Sequence, residues 1–430
     1  MIKTITRDNI NEINNPSFRS YVTQYLSIEE QTNRMIEGIG LPFSNERKEI
    51  MLENILEKKR IVPRNENKSL YLNWISPACK ACKTGEKSHT TFISFKCHKK
   101  CFFCFNPNQE NYGDFRMKEH DVTAEIQHRL NRGEKFDHIA LTGGEPLLHP
   151  KQAVEFFEYI DRHSNSTYTR LYTAGDLITR DILRALKSAN LNEIRFSIKQ
   201  EESEEKLENL YELMILAKEY IPFIVVEMPV IPGTLELMKK ILHRLDEIGV
   251  NGINLLEFCF PMHNSKEFQE RGYELKFPPF ETYYNYWYAG GLAVDKSEEE
   301  SYHLLQYASE QSVGLGVHYC SLENKHTGQL YQQNKKTNLS KLYSFSEKDF
   351  FIKSAKVFGA DKKIAKEILN KKGVRHFEEN ATYDSLQFPA SAINLFKGTN
   401  IEIAICSYVS EIRQNEDVLR EVKVEWVNGN

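Results

Sequence analysis

No stretch of this chain is apolar enough to cross a bilayer. The longest apolar run, near Ile221–Ile231, falls short of the roughly 20 residues required and is interrupted by prolines. Charge of one sign is also missing: 56 Lys and Arg against 60 Asp and Glu leave a net −4. That balance argues against a protein built mainly to hold nucleic acid. Cysteine is sparse, 8 in 430 residues, which excludes a disulfide scaffold. Met1–Asn9 carries no apolar run after Lys3, so a secretory signal is not expected and the cytoplasm is the expected compartment. Internal repeats and low-complexity tracts are absent. With 40% apolar and 27% charged residues, a folded core is expected rather than disorder.

At about 150 residues per domain, the length fits two or three domains or one large barrel with extensions. Residues 1 to about 70 read as polar and helical. Ser27-Ile-Glu-Glu30 resembles a capping box, and Pro63 closes the region. From about residue 88 short Ile-, Val- and Phe-rich runs alternate with amphipathic stretches. The runs are Thr91–Phe95, His138–Thr142, Arg170–Thr173, Glu193–Ser197, Phe223–Glu227 and Gly252–Leu256, with a seventh at Leu315–Tyr319. Lys151–Arg162, Arg180–Ser188 and Leu235–Ile248 read as the helices between them. This alternation predicts an α/β fold, a partial (β/α)6 barrel with a parallel sheet over residues 76–335. A helical N-terminal extension, 1–75, precedes it and a small α+β appendage, 336–430, follows. In the appendage Glu347–Asn370 reads as helix, and Ile401–Tyr408 and Val422–Trp426 as strands.

Five of the eight cysteines fall between Cys79 and Cys104, a clustering that points to metal. Cys97-His-Lys-Lys-Cys101-Phe-Phe-Cys104 has the spacing C-x3-C-x2-C and follows the first strand. A zinc knuckle is one reading, but it wants four protein ligands, and His98 sits too close to Cys97 to serve easily. The other reading is an iron–sulfur cluster held by three thiolates, with one iron left open. α/β barrels carry their sites at the carboxyl ends of strands, which favours the second. Gly143-Gly-Glu-Pro146 follows the second strand. It serves as a strand-to-helix turn or as a close approach for a ligand, with Glu145 facing an ammonium group.

With Cys97, Cys101, Phe103, Cys104 and Gly143-Gly-Glu-Pro146 in this order, the sequence resembles the radical S-adenosylmethionine (SAM) superfamily over residues 88–260. The resemblance implies a [4Fe–4S] cluster on Cys97, Cys101 and Cys104 whose open iron takes the amino and carboxylate groups of SAM. It places Gly143, Gly144 and Glu145 at the methionine amino group and Phe103 near the adenine. It implies reductive cleavage of SAM to a 5′-deoxyadenosyl radical that takes hydrogen from substrate, with electrons from a low-potential donor such as ferredoxin or flavodoxin. Thr173, Ser197 and Asn254 stand at later strand ends where further SAM contacts are expected, though each also suits a turn or cap.

A longer series is informative as well: Pro77-Ala-Cys79-Lys-Ala-Cys82, Glu193-Ile-Arg-Phe196, Glu227-Met-Pro-Val-Ile-Pro-Gly233, Asn254-Leu-Leu-Glu257, Arg271-Gly-Tyr273 and Val317-His-Tyr-Cys-Ser321. It resembles a little-characterised radical SAM group described as related to pyruvate formate-lyase activating enzyme, over about residues 77–335. This chain differs in Phe105-Asn-Pro after the third cysteine and in Glu145 where that group has aspartate. Cys79 and Cys82, with Cys320, form a candidate second iron–sulfur or zinc site, with His318, Cys259 or Cys406 as fourth ligand; inert thiols are the alternative. The aromatic-rich Phe277–Tyr288 reads as core, or as a lid over the barrel mouth. The substrate expected is a peptide or protein undergoing modification. The same chemistry on a small molecule, lipid or RNA is the alternative, and a non-catalytic zinc protein is the alternative from another class. No catalytic side chain is named by the sequence.

Overall fold

The computed structural model describes residues 2–44, 52–57, 60–282, 291–414 and 416–428. The chain divides into two compact units, one of Met1–Gly40, Phe280–Asn285 and Thr327–Asn430, the other of Leu41–Pro279 and Tyr286–His326.

The larger unit is built on a nine-stranded sheet. Seven parallel strands lie side by side in chain order: Ser88–Phe92, His138–Thr142, Tyr168–Thr173, Glu193–Phe196, Phe223–Val230, Gly252–Glu257 and Gly316–Cys320. Antiparallel Ser69–Leu72 and then Ile61–Arg64 extend the far edge. The first six parallel strands each lead to a helix, so the (β/α)6 expectation holds and the seventh strand is present. The strands read one way outward and another inward. Outward residues such as Leu141, Ile194, Phe196, Val226, Leu255 and Tyr319 are buried with Phe157, Leu186 and Leu245 of the helices in one apolar core. The opposite face carries Arg195, Glu227, Asn254 and His318, brought side by side by the register that pairs Asn254 with both Glu227 and His318. A barrel interior is ordinarily filled with branched apolar side chains; here the middle of it is polar.

The smaller unit is a seven-stranded antiparallel sheet in the order Ile2–Thr4, Glu416–Asn428, Glu402–Arg413, Ile352–Phe358, Ser385–Phe388, Glu378–Asn380, with Ser344–Phe345 beside Ile352–Phe358. Helix Pro16–Glu37 packs with one apolar cluster of this unit, and helix Asp361–Lys371 with another.

Several expectations are revised. The long N-terminal helix starts at Asn15, whose side chain accepts from the amides of Ser17 and Phe18, with Pro16 in the first turn. Ser27 therefore lies mid-helix and caps nothing. Residues 1–75 are not an extension of their own. Asn14 and Asn15 donate backbone amides to Glu402 at 3.0 and 2.7 Å, and Phe18 stacks on Phe358, which builds residues 1–40 into the smaller unit. Residues 61–72 supply strands to the larger one, where Pro63 sits on an edge strand that tolerates its missing N–H. The division also falls at residues 326 and 327 rather than 335 and 336. Only the second part of Glu347–Asn370 is helical: Ile352–Phe358 is a strand and Gly359, at φ +56°, turns the chain before Asp361. The first strand runs Ser88–Phe92 rather than Thr91–Phe95, because Phe95 leaves the sheet to stack on Phe92. Within Phe277–Tyr288, residues 283–288, on which the lid reading falls, lie outside the described residues. No described helix is long and apolar enough to cross a membrane.

On the outer edge of the first strand Glu125 accepts from Thr91 Oγ1 at 2.6 Å and lies 3.1 Å from both His89 and His120. Burial alone would raise its pKa, but these partners hold it down to about 2. A carboxylate depressed from its ordinary value near 4.5 stabilises the fold above about pH 4.5, and that contribution is lost as pH falls toward about 2. Glu125→Gln should therefore cost on the order of 1–2 kcal/mol near neutrality. The deficit relative to wild type should shrink on acidification, read by denaturant titration across pH 3–6. A pH-independent deficit would contradict this.

Candidate functional site

The three-cysteine loop leaves the end of the first parallel strand. Cys97 is exposed, and Cys101 and Cys104 are half-buried. The loop is anchored on both sides. Asn264 Nδ2 donates to the Phe102 carbonyl at 3.0 Å, and His263 Nε2 lies 2.9 Å from the Cys104 carbonyl. Phe102 is buried against Phe258 and Phe268, with the Arg271 guanidinium 4.2 Å over its ring. The unusual Phe105-Asn-Pro-Asn108 run finds its use here. Asn106 Nδ2 donates to the Gly143 carbonyl at 2.8 Å and Asn108 Nδ2 to the Pro261 carbonyl at 2.6 Å.

The glycine motif is strapped to the same loop. Gly144 N donates to the Ser94 carbonyl and Glu145 N to the Lys96 carbonyl, both at 2.9 Å. The approach is too close for a side chain: a Cβ on Gly144 would fall 2.1 Å from the Lys96 carbonyl oxygen, and one on Gly143, at φ +113°, 2.6 Å from Phe92 Cβ. The two motifs are one structural unit. Gly144→Ala should push the strap off residues 94–96 and lower SAM affinity at least about 10-fold, measured by equilibrium dialysis on reconstituted protein. Unchanged affinity would sink the strap's role.

Glu145 is buried, and its carboxylate is spent inside the protein. Oε1 accepts from Leu147 N at 3.0 Å and Thr173 Oγ1 at 2.8 Å, and Oε2 from Ala174 N at 2.6 Å. Burial nonetheless keeps its pKa above the ordinary carboxylate value. Glu145 thus ties the ends of the second and third strands together.

Between these parts lies a cavity of about 350 Å³. Cys97, Cys101, Phe103 and Cys104 line it with Gly143, Gly144, Glu145, Thr173 and Ser197. Its deeper wall adds Tyr172, Arg195 and Glu227 from the polar row, and Cys259 and Lys325. Asn254 is not in that lining. It lies deeper, donating to Glu227 at 2.8 Å and to the Cys79 sulfur at 3.4 Å.

Arg195 organises this depth. Its buried guanidinium bonds Glu193, Glu227 and Ser76, and approaches Cys79 Sγ at 3.3 Å. Burial would raise the Glu227 pKa, but Arg195 and Asn254 hold it below the usual carboxylate range. His318 has both ring nitrogens engaged, by Asn254 at 2.9 Å and Ser69 at 2.8 Å, and burial lowers its pKa to about 3. With both nitrogens already engaged, it is a poor fourth ligand. Arg195, Glu227, Tyr172, Lys199 and Lys325 were missed from sequence; charge at alternate strand positions was an available signal for Arg195 and Glu227.

Cys79 and Cys82 belong to the turn of helix after Ser76, and Cys320 ends the seventh strand. Burial raises the Cys320 thiol to about 12, and Cys82 and Cys79 add to that shift, so the three lie within electrostatic reach of one another. Cys259 is likewise raised to about 12 by burial. Cys406 lies in the core of the smaller unit.

A mononuclear zinc would draw its ligands to about 2.0–2.3 Å from one point. Among the described residues no three His, Cys, Asp or Glu side chains converge in that way. A four-iron cluster binds each thiolate through a different iron, so three spaced sulfurs on one loop fit it. Burial raises the Cys97 and Cys104 thiols, and iron would have to displace their protons.

Residues 91–270 match the family model described as Radical SAM superfamily. A curated protein of Methanocaldococcus jannaschii, provisionally named a glycyl-radical enzyme activating enzyme, is 23% identical over 387 residues, spanning 87% of this chain and 97% of that protein. Among solved structures, anSMEcpe with bound AdoMet and Kp18Cys peptide is 18% identical with a TM-score of 0.31, over 39% of this chain and 51% of that one, about half its length. Streptococcus suis SuiB bound to precursor peptide SuiA is 12% identical with a TM-score of 0.41, over 75% of this chain and 67% of that one.

Proposed function

We propose, for a chain whose residues 91–270 make it a radical SAM enzyme, that it abstracts hydrogen from a peptide or protein substrate undergoing modification. The family implies a [4Fe–4S] cluster and SAM, and Cys97, Cys101 and Cys104 are the residues that would hold the cluster. When bound, the pair supplies one-electron reductive cleavage of SAM, and the protein's part is to position and shield. Gly143 and Gly144 offer backbone at the strap for the methionine end. Phe103 lines the same cavity for the adenine. Lys199, held by Ser197 Oγ at 2.6 Å, offers a cation for the SAM carboxylate. Glu145 stays bonded to Thr173 and the Ala174 amide and fixes the turn they form.

The observation that carries this reading is the strap: the cysteine loop and the Gly-Gly-Glu motif are hydrogen-bonded to each other at the mouth of a parallel sheet. A protein substrate is favoured by the relative's name, which concerns activation of another enzyme. A second centre at Cys79, Cys82 and Cys320 belongs to the same reading. Cys79 and Cys82 lie within electrostatic reach of Cys320, and three thiols suit an iron–sulfur cluster or a zinc there. The reading also places the enzyme in the reducing cytoplasm, with a ferredoxin- or flavodoxin-like donor. The test is anaerobic incubation with SAM and dithionite. Formation of 5′-deoxyadenosine and methionine is expected, and a mass change in a peptide encoded beside the enzyme would identify the substrate class. No 5′-deoxyadenosine from iron-loaded protein would overturn it.

A further inference from the structure

The cavity holds an imbalance of charge. Four cationic side chains line it: Lys99, Arg195, Lys199 and Lys325. Lys99 is paired with Asp176 and Glu202, and Arg195 with Glu193 and Glu227. The cavity's own acids are taken: Glu145 by three internal hydrogen bonds, Glu227 by Arg195 and Asn254, and Glu257 by Lys276 and the Leu322 amide. Among the described residues, no carboxylate lies within ion-pair distance of Lys199 or Lys325. Lys199 rests on Ser197 beside the cysteine loop. Lys325 faces the Phe105 ring, 6.0 Å from its centre, on the part of the wall that follows the sixth and seventh strands.

SAM brings one carboxylate. Lys199, next to Ser197 and within electrostatic reach of Cys104, is placed to meet it, which leaves Lys325 over. The position of Lys325 is costly by local rules. It stands in the first turn of helix Leu322–Lys335, where the helix dipole disfavours a cation. Its charge also reaches Cys320, Cys259 and Glu227, and among the described residues no carboxylate makes a contact that would neutralise it. Local conflicts of this kind are expected at functional or strained sites.

We propose that Lys325 is the specificity residue for substrate, binding an anionic group, a carboxylate or a phosphate, that the substrate carries close to the carbon that loses hydrogen. This deepens the radical SAM reading and rests on it. A lysine is a point charge that accepts either anion, so the probes must separate them.

The experiment uses reconstituted, SAM-loaded enzyme and titrates glutarate and inorganic phosphate separately by isothermal calorimetry. The proteins are wild type, Lys325→Gln, Lys325→Arg and Lys199→Gln. Wild type should bind one of the two probes, and which one names the anion. Lys325→Gln should weaken that probe at least 10-fold more than it weakens SAM, and Lys325→Arg should restore most of it. Lys199→Gln should show the opposite pattern, losing SAM affinity first. The proposal is overturned if wild type binds neither probe, if Lys325→Gln binds it as wild type does, or if Lys325→Gln loses SAM and probe in equal measure. Wild-type 5′-deoxyadenosine formation, measured alongside, reports on the radical SAM reading separately, since anion binding does not require SAM to be cleaved.

Discussion

Cys101→Ala should abolish SAM cleavage, lowering 5′-deoxyadenosine formation by at least about 100-fold under dithionite. A cluster on these three cysteines would have no spare thiolate: three sulfurs would serve a centre that elsewhere takes four. Cys259 also lines the cavity, but burial raises its thiol to about 12 and keeps it protonated. His98 lies 2.9 Å from Asp176, and His263 is engaged by the Cys104 carbonyl. Cys101 is also half-buried on a tight turn, where the Cys104 amide meets the Cys101 carbonyl at 3.2 Å, so alanine fits the backbone and the loop itself should persist. The loss is therefore assigned to ligation, and unchanged circular dichroism and melting of the metal-free variant check that. Wild-type rates of 5′-deoxyadenosine formation from Cys101→Ala would remove the cluster assignment.

Arg195→Met should destabilise the larger unit by about 3–5 kcal/mol, because it strips a buried charge of its partner and leaves Glu193 and Glu227 facing one another's field. For a unit of this size that is a fall in Tm on the order of 10 °C. The cost comes from uncompensated carboxylates, so it has a signature. Acidification, which neutralises Glu227, should recover part of the stability relative to wild type, and Glu227→Gln in the Arg195→Met background should recover part of it at neutral pH. A Tm change below about 2 °C, or no recovery in either case, would show that the polar row is not the keystone of the barrel interior. Both variants alter the cavity floor, so SAM affinity is expected to fall with stability.

The sequence was legible where local periodicity and structure coincide. Helix Arg180–Ser188 has the bounds its periodicity predicts, and strand His138–Thr142 likewise. The three cysteines and Gly143-Gly-Glu145 were legible because their chemistry is compressed into short runs. Their contact was not, since the strap from Ser94 and Lys96 to Gly144 and Glu145 is a backbone pairing across about 50 residues. The docking of residues 1–40 on the sheet that holds Glu402 depends on partners nearly 390 residues apart, and no window of sequence carries it. Strands Ile61–Arg64 and Ser69–Leu72 were hidden by Pro63 and by their shortness. The polar row was written in plain sight. Glu193-Ile-Arg-Phe and Val-Glu-Met-Pro put charge at alternate positions of strands that otherwise read as apolar, and the alternation aims that charge into the barrel. Lys325 carries no motif at all, and only the cavity reveals it.

The iron–sulfur cluster proposed for Cys97, Cys101 and Cys104 belongs at the mouth of this barrel. It is tested most directly by iron and acid-labile sulfide per chain after anaerobic reconstitution, in wild type and in the Cys97/Cys101/Cys104 triple alanine. About eight irons should fall to about four, the remainder held at Cys79, Cys82 and Cys320. A fall from about four to none would keep the catalytic cluster and remove the second. Iron content that does not change in the triple alanine, or zinc in place of iron in both proteins, would contradict the account.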